Sequence, residues 1–439
     1  MDAPSTDCVL IPRWVIPIEP YGCVLEQSAV VVQGGRIAFV GDRGDALAQY
    51  PAAAQVALPQ HALMPGFINL HTHAAMALFR GMADDMPLMR WLQERVWPAE
   101  AKFADAAFVR DGTLLAAAEM LRGGVTCFND MYFFPEAAAQ AASRLGMRCA
   151  LGIVVIEFPT RYAADPDDYL AKGLALRDEM RGNPLVSFCF APHAPYTVSD
   201  ASFRHVATLA EQLQLPIHVH LHETANEIDA SVEKFGLRPI ERLRRLGVIG
   251  PSTIAVHAVH LDPTDIATLA EHGCSVAHCP SSNMKLASGI APVATLVERG
   301  INVGLGTDGA ASNNRLDMLG EMRTAALMAK VASARAEAVP AYAALRMATL
   351  NAAQAMGLSS EVGSIEVGKA ADLCAIEFND LGMNPVFDPA SHIVYCAGRE
   401  QVSDVWVAGK QLVNNRKLAT EHILELERLL PVWQNALMH

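Results

Sequence analysis

His71-Thr72-His73 ends the apolar run Leu63-Met64-Pro65-Gly66-Phe67-Ile68-Asn69-Leu70. Alternate side chains of an extended strand share a face, so residues 71 and 73 can aim two imidazoles at one point. Two nitrogens converging where a strand ends point to a metal. Other apolar runs also finish in histidine: Ile217-His218-Val219-His220-Leu221-His222-Glu223, Ala255-Val256-His257 and Val276-Ala277-His278, with His193 following Ala191-Pro192. An acid, Asp308 in Gly304-Leu305-Gly306-Thr307-Asp308-Gly309, ends one more. A divalent metal held by imidazoles and a carboxylate lowers the pKa of its water from about 15.7 to roughly 7, giving a hydroxide nucleophile at neutral pH. His218, His220 and His222 lie on one strand face, so spacing leaves open which of the three would bind.

Such residues act together only if their strands converge. Short β-branched or apolar runs alternate with Ala- and Leu-rich periodic stretches, the pattern of repeated β-α units. Eight strand candidates fall near 66–73, 123–128, 147–155, 185–191, 216–222, 252–257, 274–278 and 301–307. The periodicity predicts helices between them, for example over 106–122, 167–182, 200–213 and 316–332. Eight units predict an α/β fold of the TIM-type (β/α)8 class, whose chemistry sits at the carboxyl ends of the strands. Six of the eight candidate ends carry the histidines and Asp308. An open doubly wound sheet would often place a glycine-rich phosphate turn after its first strand, where this chain has His71 and His73.

The chain ends read differently. Residues 29–40 suggest two strands around Gly34-Gly35, and β-texture returns only over 363–376 and 402–413, with a turn at Gly409-Lys410. Neither end has enough strands for a stable sheet. The expected organisation is a small β-sandwich domain built from both ends, 1–64 and 363–439, around a barrel over 65–362.

Composition narrows the function. With 439 residues, 51% hydrophobic and 18% charged, the chain can bury a large core. A formal charge of −13 argues against a nucleic-acid partner and leaves small-molecule chemistry. The opening Met1-Asp2-Ala3-Pro4 lacks a basic n-region followed by an apolar stretch, and no run approaches the roughly 18 apolar residues that span a bilayer. The expectation is a cytoplasmic protein without a membrane partner. Nine scattered cysteines with no Cys-x-x-Cys pair suggest neither a disulfide framework nor a cysteine zinc knuckle.

Longer motifs carry a resemblance. Pro65-Gly66-Phe67-Ile68-Asn69-Leu70-His71-Thr72-His73, Phe79-Arg80-Gly81-Met82, His220-Leu221-His222-Glu223-Thr224, His257-Ala258-Val259-His260 and Gly306-Thr307-Asp308-Gly309-Ala310-Ala311-Ser312-Asn313 resemble the 5-methylthioadenosine/S-adenosylhomocysteine deaminases of the amidohydrolase superfamily. The likeness runs over nearly the whole chain. It implies His71, His73, His220 and Asp308 as ligands of one divalent ion per subunit, with zinc favoured, although iron or manganese suits similar donor sets. It implies Glu223 as a proton shuttle, His257 as a partner that orients water or stabilises charge, and Asp308 as acceptor of the water's proton. His193 and Glu100 become substrate contacts, Glu100 because it matches a carboxylate that accepts ribose hydroxyls, and with Glu223 and Asp308 they complete the implied substrate-binding set. His218, His222, His260 and His278 are left for packing or for hydrogen bonds to ligands. Trp91, Trp97, Met76 and Met86 are candidates for an apolar wall, and core packing explains such residues equally well.

Two departures refine this. Binuclear members of the superfamily carry a bridging lysine on the fourth strand, and this chain has no lysine between Lys172 and Lys234. The third candidate strand ends Gly152-Ile153-Val154-Val155-Ile156 without a basic residue, leaving Arg161 as the nearest cation for a homocysteine carboxylate. The implied activity is deamination of the 6-amino group of adenosine-type nucleosides: methylthioadenosine, S-adenosylhomocysteine or adenosine. The competing activity on the same scaffold is deamination of a free base such as guanine, or s-triazine hydrolysis. Oligomeric state is left open, a homo-oligomer included.

Overall fold

Asp308 N donates to His71 O at 3.0 Å, and this bond closes a ring of eight parallel strands. In the computed structural model, which describes residues 7–438, the strands are Phe67–Thr72, Val125–Asp130, Arg148–Val155, Val186–Pro192, Ile217–Leu221, Thr253–His257, Ser275–His278 and Asn302–Leu305. The opening Met1-Asp2-Ala3-Pro4 lies outside the described residues. Each strand pairs with its sequence neighbour, and each falls within or across one of the eight expected windows. Asn69 completes the seam, its Oδ1 accepting Thr307 N at 3.0 Å and its Nδ2 donating to Thr307 Oγ1 at 2.7 Å. Helices cover the outside, and side chains at their first residues fix where each begins. Asp105 accepts Phe108 N, Ser199 accepts Ser202 N and Thr224 accepts Glu227 N, satisfying amides that have no partner within the helix.

The two chain ends meet in a second sheet. Its order is Lys410–Val413, Val402–Val407, Leu373–Glu377, Ala54–Pro65, Cys8–Val15, Ser28–Gln33 and Arg36–Asp42, with Leu25–Glu26 paired to the side of Cys8–Val15. The long strand Ala54–Pro65 is the joint, parallel to Cys8–Val15 and antiparallel to Leu373–Glu377. This sheet curls over itself: Leu10, Val30 and Val32 of one half pack in one cluster with Leu373, Ala375 and Trp406 of the other. The final helix, Thr420–Met438, lies along the barrel helix Ala106–Arg122, with Trp433 Nε1 donating to Asp111 Oδ2 at 2.9 Å. No helix among the described residues is long and apolar enough to cross a membrane.

Gly66 carries the chain from one sheet into the other. A Cβ there would lie 2.1 Å from Thr126 Cγ2, so only glycine lets the strands approach. Gly66 N donates to Asp372 O, while the Asp372 carboxylate receives Arg148 Nε at 2.8 Å, Arg148 Nη2 at 3.2 Å and Ala408 N at 2.7 Å. Arg148 opens the third barrel strand, so this buried pair ties the barrel floor to the second sheet. Removing one partner strands a buried charge, which costs about 3–5 kcal/mol. Asp372→Ala is expected to lose stability on that scale, read as a lower midpoint in urea unfolding.

Candidate metal and active centre

The strand-end histidines converge at the carboxyl face of the barrel. His71 Nε2 and His73 Nε2 each lie 3.3 Å from Asp308 Oδ1. The His71 ring centroid stands 4.8 Å from that of His73, 4.9 Å from that of His220 and 5.8 Å from that of His257. Two triads, His71-His73-Asp308 and His71-His220-His257, each bring one donor atom per residue within 4.8 Å of the others.

Four of these imidazoles are tethered through Nδ1. His71 Nδ1 faces His218 Nε2 at 3.0 Å, His73 Nδ1 faces Met131 O at 2.6 Å, His220 Nδ1 faces His193 O at 2.8 Å, and His257 Nδ1 faces Asn283 Oδ1 at 2.8 Å. The carbonyls, and the Asn283 oxygen, accept from Nδ1–H, leaving the lone pair on Nε2. Among the described residues His71 Nε2 is fully buried with no hydrogen-bond partner. A buried, orphaned acceptor beside a carboxylate and further imidazoles fits a divalent cation. Burial also lowers the pKa of His71 to about 4 and that of His220 well below the ordinary value, which keeps both rings neutral and able to ligate.

Asp308 is held by its other oxygen. Oδ2 accepts Ser282 Oγ at 2.6 Å and Ser312 Oγ at 2.8 Å, and Gly309 N donates to Oδ1 at 2.7 Å. Its backbone is left-handed, φ +61°, as is that of His257 at +71°, both sparsely populated for non-glycine residues and typical of functional loops.

A pocket of about 610 Å³ opens over this cluster. His73, His193, His220, Glu223, His257 and Asp308 form its floor, and Glu100 and Arg161 lie in its walls. Glu223, 4% exposed, has Oε1 at 3.3 Å from the Ser288 hydroxyl and Oε2 at 3.8 Å from His257 Nε2. Burial raises its pKa. Burial also pushes Glu100, beside the Tyr132 hydroxyl, up to about 7. Arg161 donates to Lys102 O at 2.7 Å and pairs with Asp105 at 3.2 Å in an exposed contact. Trp91, Trp97 and Met76 line the pocket, whereas Met86 packs against the core outside it.

His222, His260 and His278 do not line the pocket. His222 accepts Ile240 N at Nε2 and holds His260 O from Nδ1, committing both nitrogens to the loop behind Glu223. His260 Nε2 faces Ser288 O at 2.6 Å. His278 is buried, its Nδ1 without a partner among the described residues. Sequence reasoning missed Tyr132, Tyr196, Ser288 and Glu227. Glu227 accepts the backbone N–H groups of His222 and Glu223, both at 2.9 Å. Its position at the start of a helix, four residues past Glu223, was the available signal; a lone serine such as Ser288 offers none.

This barrel with a His-rich centre at its carboxyl face is the architecture of the amidohydrolase family, whose profile matches residues 62–412, and the chain belongs to that family. It is 48% identical to a 5-methylthioadenosine/S-adenosylhomocysteine deaminase of Saccharophagus degradans, over 98% of this chain and 96% of that one. The zinc-bound crystal structure of an adenosine deaminase from Xanthomonas campestris matches with a TM-score of 0.97 at 46% identity, over 99% of this chain and 100% of that one. An atrazine chlorohydrolase from Arthrobacter aurescens complexed with zinc matches with a TM-score of 0.90 at 24% identity, over 97% and 100% of the chains, a likeness that shows the fold alone.

Gly306 makes the convergence sterically possible. A Cβ there would lie 2.7 Å from His71 N and 2.8 Å from His71 Cβ. Gly306→Ala is expected to spread the seam at a cost of about 1–3 kcal/mol, seen as a lowered thermal midpoint.

Proposed function

We propose that the chain is a metal-dependent aminohydrolase that converts the 6-amino group of adenosine-type nucleosides to a 6-oxo group and releases ammonia. Methylthioadenosine, S-adenosylhomocysteine and adenosine are its substrates. The observation that carries this reading is the sharing of one pocket by Glu223, the imidazole cluster and Glu100. His71, His73, His220 and Asp308 would hold one divalent ion, zinc before iron or manganese. The ion supplies Lewis acidity that makes water a nucleophile near neutral pH.

The chain's own residues manage the protons. Hydrolysis exchanges the amine for the oxygen of water, so a proton must reach the purine ring nitrogen and another must follow onto the departing amine. Glu223 serves both transfers as a shuttle, burial favouring its protonated form: it gives its own proton to the ring nitrogen, carries one of the two protons that water surrenders to the amine, and is restored by the other. Asp308, beside His71 and His73, accepts a proton from the attacking water. His257 stabilises charge as it develops opposite Glu223 Oε2. His193 stays neutral, its pKa lowered to about 3 by burial. Thr197 Oγ1 donates to Ala194 O and therefore accepts from His193 Nδ1–H, which leaves His193 Nε2 to accept a hydrogen from the substrate. Glu100 accepts the ribose hydroxyls, and Arg161 meets a carboxylate on the longer 5'-substituent. A cytoplasmic enzyme acting on free nucleosides suits the acidic surface.

Purified protein, analysed for metal, should be incubated with methylthioadenosine, S-adenosylhomocysteine, adenosine, guanine and a chlorotriazine while ammonia, chloride and ultraviolet absorbance are recorded. Ammonia from the nucleosides is expected, abolished by chelation and restored by zinc. Chloride release without purine turnover would reverse the assignment in favour of the triazine activity.

Glu100 predicts a pH dependence. Its pKa is raised to about 7, so the hydroxyl-accepting carboxylate prevails above that value and the protonated acid below it. The apparent KM for nucleosides should therefore rise as pH falls from about 8 to about 6. Glu100→Gln should bind nucleosides weakly at every pH and lose this limb; a KM that stays flat in the parent enzyme would contradict the assignment.

A further inference from the structure

One segment touches both Glu223 and His257. After the seventh barrel strand, Ser275–His278, the chain forms the short helix Pro280–Lys285 and turns through Ala287, φ +52°, and Gly289, φ +130°. Asn283 on that helix holds His257 Nδ1 at 2.8 Å. Ser288 on the turn donates its hydroxyl to Glu223 Oε1 at 3.3 Å. The segment therefore grips the His257 ring from behind and the Glu223 carboxylate from one side, and the free oxygen, Oε2, is the one that faces His257 Nε2 at 3.8 Å.

Ser288 is itself held on two sides. Its N–H donates to Asn283 O at 2.8 Å, and its carbonyl accepts from His260 Nε2 at 2.6 Å. His260 is anchored in turn, its N–H donating to His222 O at 3.0 Å and its carbonyl accepting from Arg238 Nη2 at 2.8 Å. Gly289 cannot be replaced without moving the turn, since a Cβ would lie 2.8 Å from Val259 Cγ1. Ser288 is 5% exposed and is not among the residues that line the pocket. Its hydroxyl has one hydrogen to give and spends it on the carboxylate of the shuttle.

We propose that Ser288 is a positioning residue for proton transfer: held by His260 and Asn283, it fixes Glu223 Oε1 and reserves Oε2 for the substrate's nitrogens. This rests on the reading of Glu223 as the shuttle. A carboxyl group that lost this bond could rotate about its terminal torsion, out of the plane that aims one oxygen toward His257 and the substrate. The geometric selection would then weaken while the pocket that binds substrate stayed intact.

Ser288→Ala, Ser288→Thr and Glu223→Gln, each checked for metal content and thermal midpoint, separate the possibilities. Ser288→Ala is expected to keep its metal, its midpoint and its KM within about twofold, while kcat falls about tenfold to a hundredfold. Ser288→Thr, which keeps the hydroxyl, should recover most of that loss, and Glu223→Gln should keep metal and lose nearly all turnover. Wild-type kcat in Ser288→Ala beside an inactive Glu223→Gln would overturn the role of Ser288 and leave the shuttle standing. Loss of metal or of midpoint in Ser288→Ala, or a threonine variant no better than alanine, would show a structural residue and overturn it too. Near-normal turnover in Glu223→Gln would remove the shuttle and the inference together.

Discussion

The seam between the first and eighth barrel strands is the constraint on which the centre depends. His71 O accepts Asp308 N, so two residues 237 positions apart share one register and their side chains meet at 3.3 Å. Gly306 removes the Cβ that would force these strands apart. The left-handed turn at Asp308 swings its carboxylate inward, a conformation that costs on the order of 1–3 kcal/mol and persists only where its surroundings fix it. Here the fixing groups are Ser282 and Ser312 on Oδ2 and Gly309 N on Oδ1. Barrel closure and assembly of the centre are thus one event.

Desolvation then gives opposite properties to the two kinds of titratable group in the pocket. Burial disfavours charge, so it lowers the pKa of His71, His193 and His220 and leaves neutral rings with free lone pairs. The same burial raises Glu223 and Glu100, the latter to about 7, and so favours the protonated carboxyl in each. Burial alone therefore leaves neutral imidazole lone pairs and protonated carboxyl groups close together, without a cation having to be placed beside each.

The barrel was legible because its strands are buried on both faces and read as unbroken apolar runs, each finishing in a residue with chemistry. The cluster of His71, His73, His193, His220, His257, Glu223 and Asp308 was legible for the same reason: strand ends are positions that periodicity can locate. The second sheet was only half visible. Cys8–Val15 and Ala54–Pro65 lie in one sheet with strands more than 300 residues away, and pairing at that separation leaves no local pattern. Residue type alone made Met86 a candidate for the wall or for core packing, and it packs against the core; type does not say which side of a turn a side chain takes. The supports of the site, Asn283, Ser288 and Glu227, come from loops and helix starts. Their roles are defined by a partner's backbone or carboxylate and not by any spacing of their own.

His218 shows how far such support extends. For His71 to turn a lone pair toward the centre from Nε2, its proton must sit on Nδ1, where it is donated to His218 Nε2 at 3.0 Å. A neutral imidazole carries one proton, so His218 must then bear its own on Nδ1, which faces the Asn129 side-chain amide at 3.3 Å. That proton needs an acceptor. An amide can exchange its oxygen and nitrogen by half a turn, and with oxygen toward His218 its NH2 group faces the Cys189 sulfur, a weak acceptor, across a contact of 3.4 Å. The chain of single protons from His71 through His218 to Asn129 admits one consistent direction. Burial lowers the His218 pKa far enough to keep a second proton off the ring. A histidine that touches no substrate thus decides which nitrogen of His71 is free, and the requirement passes through three barrel strands before it ends at a buried thiol.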